Sequence, residues 1–325
     1  MRFLKTEVQV TVNTEMQDLS AAVIAKDKQR ISEIFRSKKF IDVNKPGTRG
    51  QAPLVYASFN GDSEIVELLL RHPLINVNIF DSECHTPLMI ACAKGFVAIV
   101  NALLKHPLIQ VNQTNRLRQT ALCFAANSAH EEIIDSLLAH PKLNANISDR
   151  NGQSALMFAA FKGHHGTVQK ILAHPSVQVN KTSRKKGPTA LMWAAGKGRS
   201  KVVGCLLEHP EIDVNFSDGL GFAKTALHLA CINGFPKVVK RIIAHPTACV
   251  NLKDSDGYTP LMASVAFGHS AVVNTLLEHP DIDLEIVGKS GFTALTLARA
   301  LGQDDIFDIL DAYRIRAVCK EFITI

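Results

Sequence analysis

Residues Thr86 to Asn112 read TPLMIACAKGFVAIVNALLKHPLIQVN. Thr86 is placed to cap a helix start, and Pro87 suits the first helical turn, where a missing N–H costs nothing. Leu88, Ala91 and Cys92 fall at helical spacing and make one apolar face. Gly95 breaks that helix. A second one follows, with Ile99, Val100, Leu103 and Leu104 on its buried stripe. His106-Pro107 ends it, because the residue before a proline is pushed out of the α region. Ile109 and Val111 alternate with polar neighbours, as in a short extended segment, and Asn112 to Gln119 is polar enough for an exposed turn. The stretch therefore predicts helix, tight turn, helix and extended loop. One such element cannot bury its apolar face alone; stacked copies can.

The rest of the chain supplies the copies. His-Pro recurs at His72, His106, His140, His174, His209, His245 and His279, spaced 34, 34, 34, 35, 36 and 34 residues apart. Thr-Pro-Leu or Thr-Ala-Leu keeps the same beat at Thr86, Thr120, Thr189, Thr225, Thr259 and Thr293, with Ala52 and Ser154 standing in twice. Nine residues later comes Gly61, Gly95, Gly163, Gly198, Gly234, Gly268 or Gly302, and Ala129 is the exception. Self-similarity at a fixed period near 34 marks a stacked-repeat protein.

The repeat resembles the ankyrin repeat, whose pattern includes T-P-L-H-x-A, a central Gly, an I-V-x-x-L-L helix and a closing D-V-N. TALHLACINGFPKVVKRII, Thr225 to Ile243, matches it best and alone keeps the His, at His228; elsewhere that position holds Val55, Met89, Cys123, Met157, Met192, Met262 or Thr296. The chain departs after the second helix, where the family usually has Gly and about 33 residues per repeat. The resemblance covers roughly residues 17 to 310. It implies an all-α ankyrin-repeat solenoid of stacked helix-turn-helix elements joined by extended, β-hairpin-like loops. The expected organisation is an N-terminal extension (1–16), a capping repeat (17–46), eight repeats and a tail (311–325). The repeats span about 47–80, 81–114, 115–148, 149–182, 183–217, 218–253, 254–287 and 288–310. Lys26, Asp27, Lys28 and Arg30 give the capping repeat the polar outer face that an end needs. Val8, Val10 and Val12 alternate, as in a strand or an unstructured leader. Asp304 to Ala317 reads as the last second helix.

Function classes narrow by exclusion. No run approaches the ~18 apolar residues of a membrane span. MRFLKTEVQVTVN has charges where a signal peptide needs an apolar core, and none of the seven cysteines forms a CxxC pair. A cytoplasmic or nuclear chain with free thiols is expected. Asn112, Asn146, Asn180 and Asn215 start N-x-S/T sequons, which read more simply as loop asparagines of the repeat. Seven of the thirteen histidines belong to His-Pro, where a ring near a helix C-terminus can donate to exposed carbonyls. Equivalent positions stack roughly ten ångströms apart, too far to share a metal. His164-His165 has no acidic or Cys partner at ligand spacing. Gly196-Lys197-Gly198-Arg199-Ser200 lacks the strand and spacing of a phosphate loop. The expectation is a non-catalytic chain with no catalytic residue, cofactor or metal. Met89, Met157, Met192 and Met262 read as packing, and Trp193 as interior.

Charge says more. Residues 113–201 carry thirteen Lys or Arg against four Asp or Glu, while the whole chain is +6. In the family, partners usually bind the loop tips and the front of the first helix. By that resemblance Arg116, Arg150, Lys162, Arg184, Lys185, Lys186, Lys197 and Lys224 map to the binding face, with Phe222, Tyr258, Phe267 and Phe292 in later repeats. Arg184, Lys185 and Lys186, in a loop one residue longer than in earlier repeats, are expected to project. The expected function is a monomeric scaffold or adaptor for a protein partner, whose segment carries acidic residues beside apolar anchors. The alternatives are a binder of nucleic acid or anionic lipid through the basic block, or an intracellular effector using the same scaffold. Nucleic acid is disfavoured because no stacking aromatics interleave with the cations. The resemblance also implies that the loop asparagines Asn44, Asn78, Asn112, Asn146, Asn180, Asn215 and Asn251 match a position sometimes hydroxylated by an oxygen-dependent hydroxylase.

Overall fold

The computed structural model describes residues 19–37, 41–47, 50–184, 186–219 and 221–323, with side chains up to residue 316. The Val8 to Val12 segment, Lys185 and the side chains of the 319–325 tail lie outside the described residues. Regular structure among the described residues is helical, and the loops between helix pairs are turns, with a bridge at Ser148 and Ser154 in one of them.

The helices from Lys28–Arg36 to Ala294–Ala300 run only seven to nine residues each. Their starts are fixed by hydroxyls. Thr86 Oγ1 accepts the Met89 N–H at 3.3 Å, and Thr120, Ser154, Thr189, Thr225, Thr259 and Thr293 do the same for the residue three further on. Ala52 makes no side-chain cap. Their ends are fixed by left-handed backbone at Gly61, Gly95 and Gly163, a conformation that glycine adopts without strain. Ala129 takes the same turn at φ 59° despite its Cβ.

Close packing is a second reason for glycine here. A Cβ on Gly95 would lie 2.7 Å from the His130 ring, and one on Gly61 would lie 2.9 Å from the Phe96 ring. The residue after the glycine thus reaches back over the preceding repeat. His130 Nε2 sits 3.3 Å from the Ala93 carbonyl and His269 Nε2 2.9 Å from that of Ile232. Arg199 Nε donates to the Phe161 carbonyl at 3.2 Å. Each closes a carbonyl that the preceding first helix leaves open at its C-terminus.

The chain forms two compact units, one ending at Arg150 and the other starting at Asn151. In the first, Pro53–Asn60, Pro87–Lys94 and Ala121–Ser128 pack side by side, and Ser63–Leu70, Val97–Leu104 and Glu131–Leu138 make the layer behind. In the second, the front layer is Ala155–Lys162, Ala190–Gly196, Ala226–Ile232, Pro260–Ala266 and Ala294–Ala300. His165–Leu172, Ser200–Leu207, Pro236–Ile243, Ser270–Leu276 and Asp304–Ile323 lie behind it. A front helix meets neighbours on both flanks and its own second helix, so Pro87 through Cys92 are all buried. A second helix keeps one wet side and buries a stripe such as Ile99, Val100 and Leu103. The last helix runs to Ile323. It continues past Ala317, where that helix was expected to end, and past residue 310, where the repeats were expected to give way to a tail.

Leu191 is 1% exposed in the front layer of the second unit. Leu191→Ala should destabilise the protein by about 2–5 kcal/mol through the cavity it leaves; the urea midpoint reads this. Ala129→Gly should act oppositely. Relief of a left-handed Cβ, worth about 1–2 kcal/mol, exceeds the roughly 0.5–1 kcal/mol of added chain freedom, so its midpoint should rise.

Candidate binding face

The His-Pro turns have an unexpected chemistry. The ring does not donate to helix carbonyls. Its Nδ1 accepts the backbone N–H two residues on: His72 from Leu74 at 3.2 Å, His106 from Leu108 at 3.3 Å, His209 from Glu211 at 3.3 Å and His279 from Asp281 at 3.2 Å. His140, His174 and His245 repeat it with Lys142, Ser176 and Thr247. An acceptor at Nδ1 requires the neutral ring protonated at Nε2.

The turn so formed is gripped by the loop asparagine of the preceding repeat. Asn78 Nδ2 donates to the Leu108 carbonyl at 2.7 Å while its Oδ1 accepts the Gln110 N–H at 2.8 Å. Asn44 does this to Leu74 and Asn76, and Asn112 to Lys142 and Asn144. In the second unit Asn180 holds Glu211 and Asp213, Asn215 holds Thr247 and Cys249, and Asn251 holds Asp281 and Asp283. Asn146 is half-buried. The sequons at Asn112, Asn180 and Asn215 are therefore structural asparagines with both ends of the amide bonded. Glu285 takes the equivalent place in the last loop.

The tips are tied as well. Arg116 N donates to the Glu83 carbonyl and Arg150 N to that of Leu117 in the first unit. In the second, Gly219 N donates to Lys186, Ser255 N to Phe222 and Lys289 N to Asp256. Within a tip, one acid or amide, buried at Asn115 and Asp254 and half-buried at Asp81, gathers two N–H groups. Asp81 takes Glu83 and His85, Asn115 takes Leu117 and Gln119, and Asp254 takes Asp256 and Tyr258.

On this ledge the structure puts the expected residues in two places. Arg116 and Arg150 are exposed tips of the first unit, and Arg116 faces Glu83 at 4.0 Å. Lys162, Arg184, Lys186 and Lys197 are exposed in the second unit and have no acidic partner within ion-pair distance among the described residues. Lys197 Nζ lies 5.1 Å from the centre of the Phe161 ring, a ring that also meets Trp193 edge-on. Phe222, Phe267 and Phe292 are 56%, 58% and 37% exposed. Tyr258 and Lys224 are only half-exposed, and Lys224 lies over the Phe222 ring.

The long tip of the fifth repeat does not stand free. Arg184 and Lys186 both have left-handed backbone, at φ 50° and 61°. Ser183 Oγ donates to the Pro188 carbonyl, and Arg184 Nη2 reaches 3.1 Å to Asn151 Oδ1 in the preceding tip. Trp193 is not interior as its position suggested. It is half-exposed and lines an open cleft of about 350 Å³ with Asn151, Gln153, Ser183, Arg184 and Pro188.

Other reactive groups are spent on packing. Met89, Met157, Met192 and Met262 are buried. Burial pushes the Cys92, Cys123 and Cys231 thiols up, out of the nucleophilic range. His165 Nε2 lies 3.0 Å from Cys205 Sγ, a pairing forty residues apart in sequence that local spacing does not show. No group of three metal-ligating side chains occurs among the described residues. His228 is buried between its own cap and the next tip. Its Nδ1 accepts the Thr225 N–H at 3.2 Å, and Nε2 donates to the Tyr258 carbonyl at 3.0 Å. Burial lowers its pKa, against the opposing pull of that carbonyl and of Asp254.

Models of ankyrin repeats match residues 19–115, 107–183, 191–287 and 227–318. No curated protein sequence matches the chain. Among solved structures, the ankyrin repeat domain of Bcl-3, described as a unique member of the IkappaB protein family, is similar. Its TM-score is 0.62 at 24% identity, over 70% of this chain and 98% of that one. No helix among the described residues is long and apolar enough to cross a membrane.

Asn215→Ala should cost about 1–3 kcal/mol, since it strands the Thr247 carbonyl and the Cys249 N–H. Hydrogen exchange at the Cys249 amide should quicken. His228 should make stability fall in acid. Its folded-state pKa lies below the ordinary value, so the unfolded chain binds more protons in between. The stabilisation is complete above about pH 6.5, the ordinary histidine value, and is lost as pH falls toward the folded-state pKa. His228→Met, which installs the residue of four sister repeats, should flatten the urea midpoint between neutral and mildly acidic pH.

Proposed function

Because the chain belongs to the ankyrin-repeat family, whose repeats are generally modules of protein–protein interaction, we propose that it is a non-catalytic scaffold or adaptor. It presents the tips and first helices of its second unit to a protein partner. One observation carries this reading. Phe222, Phe267 and Phe292 are large apolar side chains left exposed, in the same unit as Lys162, Arg184, Lys186 and Lys197, which have no acidic partner among the described residues. Exposed aromatic anchors beside cations suit a partner segment with acidic residues next to apolar ones. The tied tips favour rigid display, which lowers the ordering cost of binding. Buried, unpaired thiols at Cys92, Cys123 and Cys231 suit a reducing compartment, the cytoplasm or the nucleus. The loop asparagines remain candidates for hydroxylation. Those whose amides bridge two repeats must first open, so added oxygen in intact mass after co-expression with such a hydroxylase should concentrate in the less stable repeats.

The test begins with capture of partners on the immobilised chain and their identification by mass spectrometry. Phe222→Ala and Phe267→Ala together should speed dissociation of a true partner by about tenfold or more, since desolvated aromatics dominate binding. Reversing the tip (Arg184→Glu, Lys185→Glu, Lys186→Glu) should slow association and weaken its salt dependence without unfolding the stack. A partner held equally by all these variants overturns the assignment of the face. Capture of nucleic acid with a steep salt slope overturns the protein-scaffold reading.

A further inference from the structure

The cleft at Trp193 differs from its counterpart in the first unit. There, His85 packs edge-on against Phe124, ring centroids 5.5 Å apart. The equivalent pair in the second unit is Gln153 and Trp193, and between them the 350 Å³ cleft stays open. That volume is at the small end of ligand pockets. Its walls are an indole, a proline ring, two amides, a serine and a guanidinium, with no acidic side chain. The guanidinium is already aimed, because Arg184 Nη2 is held by Asn151 Oδ1 and the Arg184 backbone sits against Gly152, where any Cβ would collide with it. Trp193 Nε1–H is buried and has no hydrogen-bond partner among the described residues. A buried donor without an acceptor costs about 1–3 kcal/mol.

Resting on the scaffold reading above, we infer that this cleft is a recognition site for an extended peptide segment of the partner. A carboxylate side chain of that segment pairs with Arg184, and a neighbouring apolar side chain lies on Trp193 and Pro188. The charge selects the occupant: a pre-oriented cation without an acid beside an apolar wall takes an anion attached to an apolar group. The two amides suit the main chain of a peptide.

Random peptides displayed on phage, selected on the full chain, test this. The enriched peptides should share an acidic residue next to an apolar one. Arg184→Gln and Trp193→Phe should each weaken them about tenfold or more. Trp193→Phe should leave the urea midpoint unchanged or raise it, because the unpartnered donor is gone; a merely structural tryptophan would lower it. Enriched peptides without an acidic residue, or bound equally by both variants, overturn the cleft. So does a selection that enriches nothing. Peptides that ignore both variants but are lost on Phe222→Ala overturn the cleft and leave the scaffold reading standing, whereas failure of the partner-capture experiment is the result that removes that reading.

Discussion

A helix of eight residues is too short to persist alone in water, where roughly 12–15 residues are already marginal. Nearly every helix here is below that length, so each exists only because another presses against it. The front helices bear this most heavily. They are covered on both flanks and from behind, and they are correspondingly rich in Ala, Cys and Met. Ala91, Ala125, Ala159, Ala194 and Ala230 are fully buried at equivalent places, where a larger side chain would push two layers apart. The hydroxyl caps and left-handed glycines follow from the same constraint. A helix this short has more open backbone groups at its ends than bonds in its middle.

Apolar contact alone leaves the loops unheld, and a second, polar connection holds them. Each bridging asparagine spends its whole amide on the turn that follows, and each His-Pro ring stiffens the turn it grips. These bonds occupy the sides of the loops, while the tips keep exposed side chains such as Arg116, Arg150 and Phe222. In the fifth repeat, where an extra residue lengthens the tip, the added length bends back to Asn151 and leaves a cleft instead of a projection.

Much of the architecture was legible because one residue type does one local job. Thr86 caps its own helix and Gly95 ends it, so period and role can be read together from a single stretch. The histidine of His-Pro was harder. Its position near a helix end suggested a donor, but the ring turns forward to accept an N–H two residues on, a choice of torsion rather than of spacing. The asparagine bridge was invisible for another reason. Its partners lie 30 to 34 residues away, and only the register between repeats brings them together. Trp193 looked interior because Phe124 and Phe158 share its place; what opened a cleft beside it was Gln153 where an earlier repeat has His85, a difference in a neighbour. Exposure was not legible either: it separates Phe222, Phe267 and Phe292 from the half-buried Tyr258.

The asparagine bridge also bears on how such a chain can grow. Asn44, Asn78, Asn112, Asn180, Asn215 and Asn251 each offer the same amide to the same carbonyl and N–H of the His-Pro turn that follows, so the bond made forward has the same form as the bond accepted from behind. A 34-residue segment cut anywhere along this period carries one complete set of both halves. Copied in frame between two existing repeats, it finds each bond already waiting and leaves none unmade. Glu285 breaks this symmetry in the last loop, so duplication that spares the interior bonding must occur on its N-terminal side.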